Sequence, residues 1–175
     1  MTPFNEDDVL EQLEAQPDLA SFLSAAHAIL LSGIRQFLPS LFVNNDEEIL
    51  EYAVKPLLAR SGPLDDIDVA LRLIFALGKM EKWLYADITC FTQFSEVVQQ
   101  AKGRIGFHDD ITYDFIGNLH VITRNTTLFN AIKSMKFSDF SLYSDARYGN
   151  MVKTALTLAV TSLLKELRHE RDVDD

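Results

Sequence analysis

The sequence predicts an all-α fold, a single multi-helix bundle with a long C-terminal helix. Three observations carry that expectation. Apolar residues recur at helical spacing, cap-like Asn, Asp and Ser residues precede the apolar runs, and a chain of 175 residues holds only seven glycines and five prolines. That is little material for the many tight turns of an all-β protein.

Asn5 is a natural N-cap, and Glu6, Asp7 and Asp8 in the turn after it complement the helix dipole. Val9, Leu10 and Leu13 give a short apolar face that Pro17 closes. The next helix is expected over residues 18–38. Phe22, Ala26, Leu30, Gly33 and Phe37 form one apolar line, widened by Leu23 and Ile34, as suits a helix buried on most sides. Pro39 ends it. Asn44, Asn45 and Asp46 form a cap-like cluster before a helix that starts at Glu47. Pro56 predicts a kink or restart there, because it lacks an N–H and crowds the carbonyl of Tyr52.

Ser61-Gly62-Pro63 is the clearest punctuation in the chain. Pro63 in the first helical position, with Asp65 and Asp66 in the first turn, predicts a helix whose face is Leu64, Ile67, Leu71, Ile74 and Leu77. Asp68 and Arg72 lie one turn apart on its other side, and Gly78 is a natural stop. A helix follows over residues 81–100, with Leu84, Ile88, Phe91 and Val98 on one side, and the run Lys102-Gly103-Arg104-Ile105-Gly106 breaks the pattern. Asp109 or Asp110 caps a helix with the face Ile111, Phe115, Leu119 and Ile122. Residues 125–143 are shorter-patterned and aromatic, with Phe129, Ile132, Met135, Phe137 and Phe140. Residues 144–169 predict a long last helix on Val152, Leu156, Ala159, Leu163 and Leu167. With no repeat, low-complexity tract or Pro/Ser-rich linker, residues 1–170 are expected to be one helical domain followed by an acidic tail at 171–175.

Charge narrows the function classes. Sixteen Lys and Arg against 26 Asp and Glu give −10, a poor balance for sequence-independent binding of DNA or an anionic membrane. The charge is unevenly placed. Residues 1–51 carry ten acids and one base, Arg35, whereas residues 115–171 carry eight bases and four acids. Cys90 is the sole cysteine, which excludes an internal disulfide and a cysteine-rich zinc module. The acidic start is unlike a secretory signal, and the uncharged stretch 19–34 falls short of the roughly 20 residues a bilayer needs. A cytoplasmic location is expected.

The search for chemistry finds no active site. Neither G-x-G-x-x-G nor a P-loop occurs, and Gly103-x-x-Gly106 lacks a flanking strand and a third glycine. His108, Asp109, Asp110 and Asp114 bring an imidazole near three carboxylates, but the aspartates suit a helix cap and first turn better than a metal. His27 lies mid-helix among apolar residues, and His120 and His169 lack an i+4 histidine partner. Cys90 sits in an apolar helix, where cysteine behaves as a small hydrophobe. No enzyme activity, metal or cofactor is expected.

The stretch from Glu51 to Gly78, EYAVKPLLARSGPLDDIDVALRLIFALG, resembles the core of the mannitol operon repressor family. Gly62, Pro63, Leu64, Asp66, Leu71, Leu77 and Gly78 carry the match, with Arg72 inside the same motif. A weaker likeness extends to the acidic N-terminal helix, to Trp83-Leu84-Tyr85-Ala86-Asp87-Ile88 and to the last helix. Ala70 stands where the namesake repressors tend to have arginine, and Ala76 where they tend to have glycine, so the chain is more similar to an uncharacterised enterobacterial branch. The resemblance implies an all-helical bacterial protein in transcriptional repression of mannitol use, without a standard DNA-binding motif. Each motif position also has a structural explanation as a break, a helix start or a packing contact.

The leading expectation is a non-catalytic regulator that acts through protein contacts on a sugar-uptake operon. Its surface would be the acidic set Glu6, Asp7, Glu11, Glu14 and Asp18, the pair Glu47 and Glu48, or both, since acidic faces favour basic partners. The alternative is direct DNA binding through a basic patch of Lys133, Lys136, Arg147 and Lys153. A third class is a helical module that holds a sugar phosphate. Self-association stays open.

Overall fold

Asp18 starts the central helix: its carboxylate accepts the Ser21 N–H at 2.8 Å and the Ser21 hydroxyl at 2.7 Å. The structure, a computed structural model, describes residues 5–42, 46–138 and 145–173. Its helices are α1 (Glu6–Glu14), α2 (Leu19–Phe37), α3 (Glu47–Ile49), α4 (Lys55–Leu58), α5 (Ile67–Ala76), α6 (Lys82–Gln100), α7 (Asp110–Asn118), α8 (His120–Thr123), α9 (Thr126–Lys136) and α10 (Asp145–Val173). Among the described residues there is no strand, so the all-α expectation holds. None of these helices is long and apolar enough to cross a membrane.

Helix α2 is the centre, packed by α1, α5, α6 and α10. Its wide apolar stripe is why: Phe22, Leu23, Ala26, Leu30, Ile34 and Phe37 are all buried. Helix α10 answers with Val152, Leu156, Ala159, Leu163 and Leu167, the face expected from its sequence. Helix α6 closes another side with Leu84, Ile88, Phe91 and Val98. Phe91 meets Phe115 of α7 edge-on, and Phe94 stacks on that ring.

Three local expectations are corrected. Pro63 opens only a short 3-10 turn, Pro63–Asp65, and α5 begins one residue past Asp66, which is its N-cap rather than a first-turn residue. Its carboxylate accepts the N–H groups of Asp68 at 2.9 Å and Val69 at 3.3 Å. Asp65 is thereby freed to pair with Arg35 of α2. The disturbance expected at Pro56 appears upstream. Residues Leu50–Val54 form a wide π turn, and regular helix resumes as α4 at Lys55, one residue before Pro56. The helix expected through Ile111 and Ile122 is broken at Leu119, whose backbone is extended (φ −83°, ψ 116°), into α7 and α8. Leu77 and Ile111, assigned to buried faces from periodicity, are exposed. The cap-like Asn44 and Asn45, the aromatic Phe140 and the end of the acidic tail lie outside the described residues; Asp46 does cap α3.

Two glycines in the family motif are fixed by different constraints. A Cβ on Gly62 would lie 2.5 Å from the carbonyl oxygen of Pro56 and 2.8 Å from that of Ala59, both rigid backbone atoms. Gly78 has φ +70° and ends α5, with Lys79 N–H bonded to Ile74 O at 3.1 Å and Gly78 N–H to Phe75 O at 3.0 Å. A Cβ there meets nothing within 4 Å. Gly62→Ala is therefore expected to destabilise by about 2–3 kcal/mol and Gly78→Ala by about 1 kcal/mol in urea unfolding. Equal costs would contradict the steric account of Gly62.

Candidate functional site

The acidic residues of the N-terminal region divide by role. Asp7, Glu11 and Glu14 of α1 are exposed, while Glu6 pairs with Lys165 of α10 at 2.8 Å. Asp18 is a cap and not a loose charge. Glu47 and Glu48 form the exposed first turn of α3 after their N-cap Asp46. The two acidic stretches sit on different elements, α1 on α2 and α10, and α3 on the wide turn that follows it.

The four residues of the basic patch do not form one free surface. Lys136 pairs with Asp110 of α7 at 2.6 Å, donates to the His108 carbonyl at 2.9 Å and lies 5.4 Å over the Tyr148 ring. Lys153 reaches across to the end of α1, where it donates to the carbonyls of Glu14 at 2.6 Å and Gln16 at 2.5 Å. It thus satisfies the carbonyls that a helix C-terminus leaves open. Lys133 and Arg147 are exposed on α9 and α10. Six residues apart on α10, Arg147 and Lys153 point well away from each other.

The family-motif residues are placed by the backbone: Gly62 at a close approach, Pro63 opening its turn, Leu64 buried, Asp66 as a cap and Gly78 as a helix stop. Arg72 is exposed on α5.

A polar constellation that sequence reasoning missed lies between α6 and α8. Asp87 is fully buried on α6. Its Oδ1 accepts the His120 backbone N–H at 2.9 Å and the His120 ring Nδ1 at 2.8 Å, and its Oδ2 accepts the Val121 N–H at 2.8 Å. An ionised carboxylate can only accept, so Nδ1 is the donor in this bond, and in the uncharged ring Nε2 is then the acceptor. The His120 side chain is half exposed. One turn earlier on α6, Trp83 lies under the guanidinium of Arg124, 4.5 Å from its ring centroid, and donates its indole N–H to Glu81 at 2.7 Å. The two pairs form adjacent rungs, since Trp83 and Asp87 are one turn apart, as are His120 and Arg124.

Other titratable groups are structural. Burial, helped by the Asp87 charge, pushes the Cys90 thiol up and keeps it protonated, which makes it a poor nucleophile. Lys136 holds the Asp110 carboxyl below the usual range. Asp109 holds the N-cap position of α7 as expected, but its carboxylate turns back to accept the Gly106 N–H at 2.6 Å instead of a helix N–H. Among the described residues no group of three or more His, Cys, Asp and Glu is placed to hold a metal ion.

Two outcomes follow. The Ser21 hydrogen bonds hold the Asp18 carboxyl below its ordinary value. Its stabilisation is thus complete above the unfolded carboxyl's range and is lost as pH falls through the lower folded value. Asp18→Ala should cost about 1 kcal/mol at neutral pH and nothing once both forms are protonated; a pH-independent cost in urea melts would refute the cap. Asp87→Ala should cost about 2–4 kcal/mol because it strands two backbone donors, whereas His120→Ala, which keeps both, should cost about 1 kcal/mol or less. Similar costs for the two changes would show that the carboxylate does not hold α8.

Comparison with known proteins gives these features a family. Fumarase E of Shigella flexneri and Fumarase E of Escherichia coli (strain K12) are each 68% identical over 167 residues, covering 95% of this chain and 99% of theirs. The mannitol operon repressor of Escherichia coli (strain K12) is 29% identical over 164 residues, 93% of this chain and 82% of that protein. Among solved structures, a possible transcriptional regulator, YggD, from Shigella flexneri superposes with a TM-score of 0.90 at 68% identity, covering 95% and 99% of the two chains. MtlR in its complex with HPr from Escherichia coli gives 0.74 at 27% identity, covering 93% and 97%. The higher identity to the Fumarase E and YggD chains than to the namesake repressor agrees with the departures at Ala70 and Ala76. Residues 5–168 match the family described as Mannitol repressor, nearly the whole described bundle, and the chain therefore belongs to that family.

Proposed function

We propose that the chain is a regulator that acts through protein contacts rather than by turning over a substrate, its output being control of a sugar-uptake operon. The observation that carries this reading is the likeness, over 93% of the chain, to MtlR in a structure where that protein is bound to HPr. Exposed Glu11, Glu14, Glu47 and Glu48 supply charged surface for such a contact. Direct DNA binding is less well supported, because Lys136 and Lys153 are committed to partners within the chain. A sugar-phosphate site is also weakly supported. The groove between α1, α2 and α10, about 290 Å³, is floored by Val9, Ile29, Phe37, Leu164 and Leu167, with Arg168 as its basic residue.

A second reading rests on the two relatives named Fumarase E at 68% identity: the chain acts on fumarate. The readings concern different faces, α1 and α3 for the contact and another part of the bundle for a substrate.

They separate in two measurements. HPr offered to the purified protein should bind, and reversing Glu11, Glu14, Glu47 and Glu48 to lysine, which spares the Asp18 cap, should weaken binding by roughly tenfold or more. Absence of binding sinks the contact reading, and unchanged binding sinks this placement of the surface. Incubation with fumarate, followed by loss of its alkene absorbance, tests the second reading. Turnover would overturn the non-catalytic part of the first reading and leave the contact surface standing.

A further inference from the structure

We propose that His120 and Arg124, with Asp87 behind the imidazole, form a site for a small unsaturated dicarboxylate, in which His120 Nε2 draws a proton from water and Arg124 anchors a carboxylate. The proposal rests on the second reading above, that this chain acts on fumarate. It is argued from geometry that the reading did not use.

Three features meet at this place. First, a fully buried carboxylate lies 2.8 Å from Nδ1 and also holds the backbone N–H of the same residue, so the ring is oriented, and its uncharged form is biased towards a proton on Nδ1. Asp87 is a positioning residue, acting through His120. Second, the ring is within reach of solvent: the His120 side chain is half exposed. Third, Arg124 stands one turn along the same face, lying on the Trp83 ring and, among the described residues, without a carboxylate partner. A guanidinium stacked on an indole keeps its N–H fork available for planar, two-point binding of a carboxylate. Capping α8 accounts for the two backbone bonds to Asp87, but it does not require a histidine in the first position, nor an arginine one turn later.

The chemistry balances without a further reactant. As Nε2 takes a proton from water, the water oxygen bonds to one alkene carbon. The π electrons pass to the other alkene carbon and its attached carboxylate, whose charge Arg124 offsets. That carbon then takes a proton, and the imidazolium returns its own to solvent. The product is hydroxysuccinate, and no group is oxidised or reduced overall.

The test uses the full chain and two readouts. The first is conversion of fumarate to hydroxysuccinate by wild type, His120→Ala, Arg124→Gln, Asp87→Asn and the control His27→Asn. The second is the imidazole NMR resonance of His120, assigned by its loss in His120→Ala, during titration with fumarate or the inert succinate. Turnover by wild type that falls roughly 100-fold in His120→Ala, is partly restored by added imidazole, and shows a raised KM in Arg124→Gln supports the site. Imidazole rescue is the readout that a structural role would not give. Turnover unchanged in both His120→Ala and Arg124→Gln overturns the site and leaves the fumarate reading standing. A dicarboxylate-dependent His120 shift, lost in Arg124→Gln but without turnover, keeps the site as a binding site and overturns the fumarate reading. Neither turnover nor shift overturns both.

Discussion

The rest of the structure depends on one buried charge. Asp87 has no exposure to water, and its carboxylate is made tolerable by three donors: two backbone N–H groups and an imidazole N–H. Those donors all come from the start of α8, 33 and 34 residues away in sequence. Gly117 and Asn118 weaken the end of α7, and the bonds to Asp87 fix where the chain leaves helical geometry, at Leu119, and restarts, at His120. Once α8 is set, Leu119 and Ile122 turn inward to the core, and Asn125 follows as the N-cap of α9 through its bond to the Leu128 N–H. A single side chain on α6 thus holds the start of α8 in place between α7 and α9.

Elsewhere the charges obey the same logic. Three aspartates, Asp18 and Asp46 in the acidic N-terminal segment and Asp66 just beyond it, start helices by accepting backbone N–H groups. Basic residues of the C-terminal third complete other ends, as Lys153 does for α1 and Lys136 does at the His108 carbonyl. The net charge of −10 therefore includes side chains that also hold the fold together. In the acidic N-terminal segment, Asp7, Asp8, Glu11, Glu14, Glu47 and Glu48 are exposed without a cap role.

Legibility in the sequence follows from how local each cause is. The N-caps Asn5 and Asp18, the stripe of α2, the stop at Gly78 and the face of α10 are all set by neighbours within a few residues, and periodicity and cap chemistry find them. The break at Leu119 has a local signal in Gly117 and Asn118, but the direction in which the chain restarts is set by a residue on another helix. Asp87 did leave a trace: it lies in register with Leu84, Ile88 and Phe91, where a carboxylate must find donors. Sequence alone names the need but not the partner. The same holds for Lys136 and Lys153, whose spacing reads as a basic patch until Asp110 and the end of α1 are seen beside them.

Membership of a repressor family and likeness to chains named for fumarate chemistry meet in one bundle. Its acidic helices can serve contacts, while the α6–α8 face carries the oriented imidazole. The lock between Asp87 and His120 is the claim on which that picture turns, and the tautomer of the ring tests it most directly. Nitrogen-15 NMR of the uncharged His120 ring should show a proton held on Nδ1 and a bare Nε2. A ring protonated on Nε2, or one averaging between the two tautomers, would contradict it.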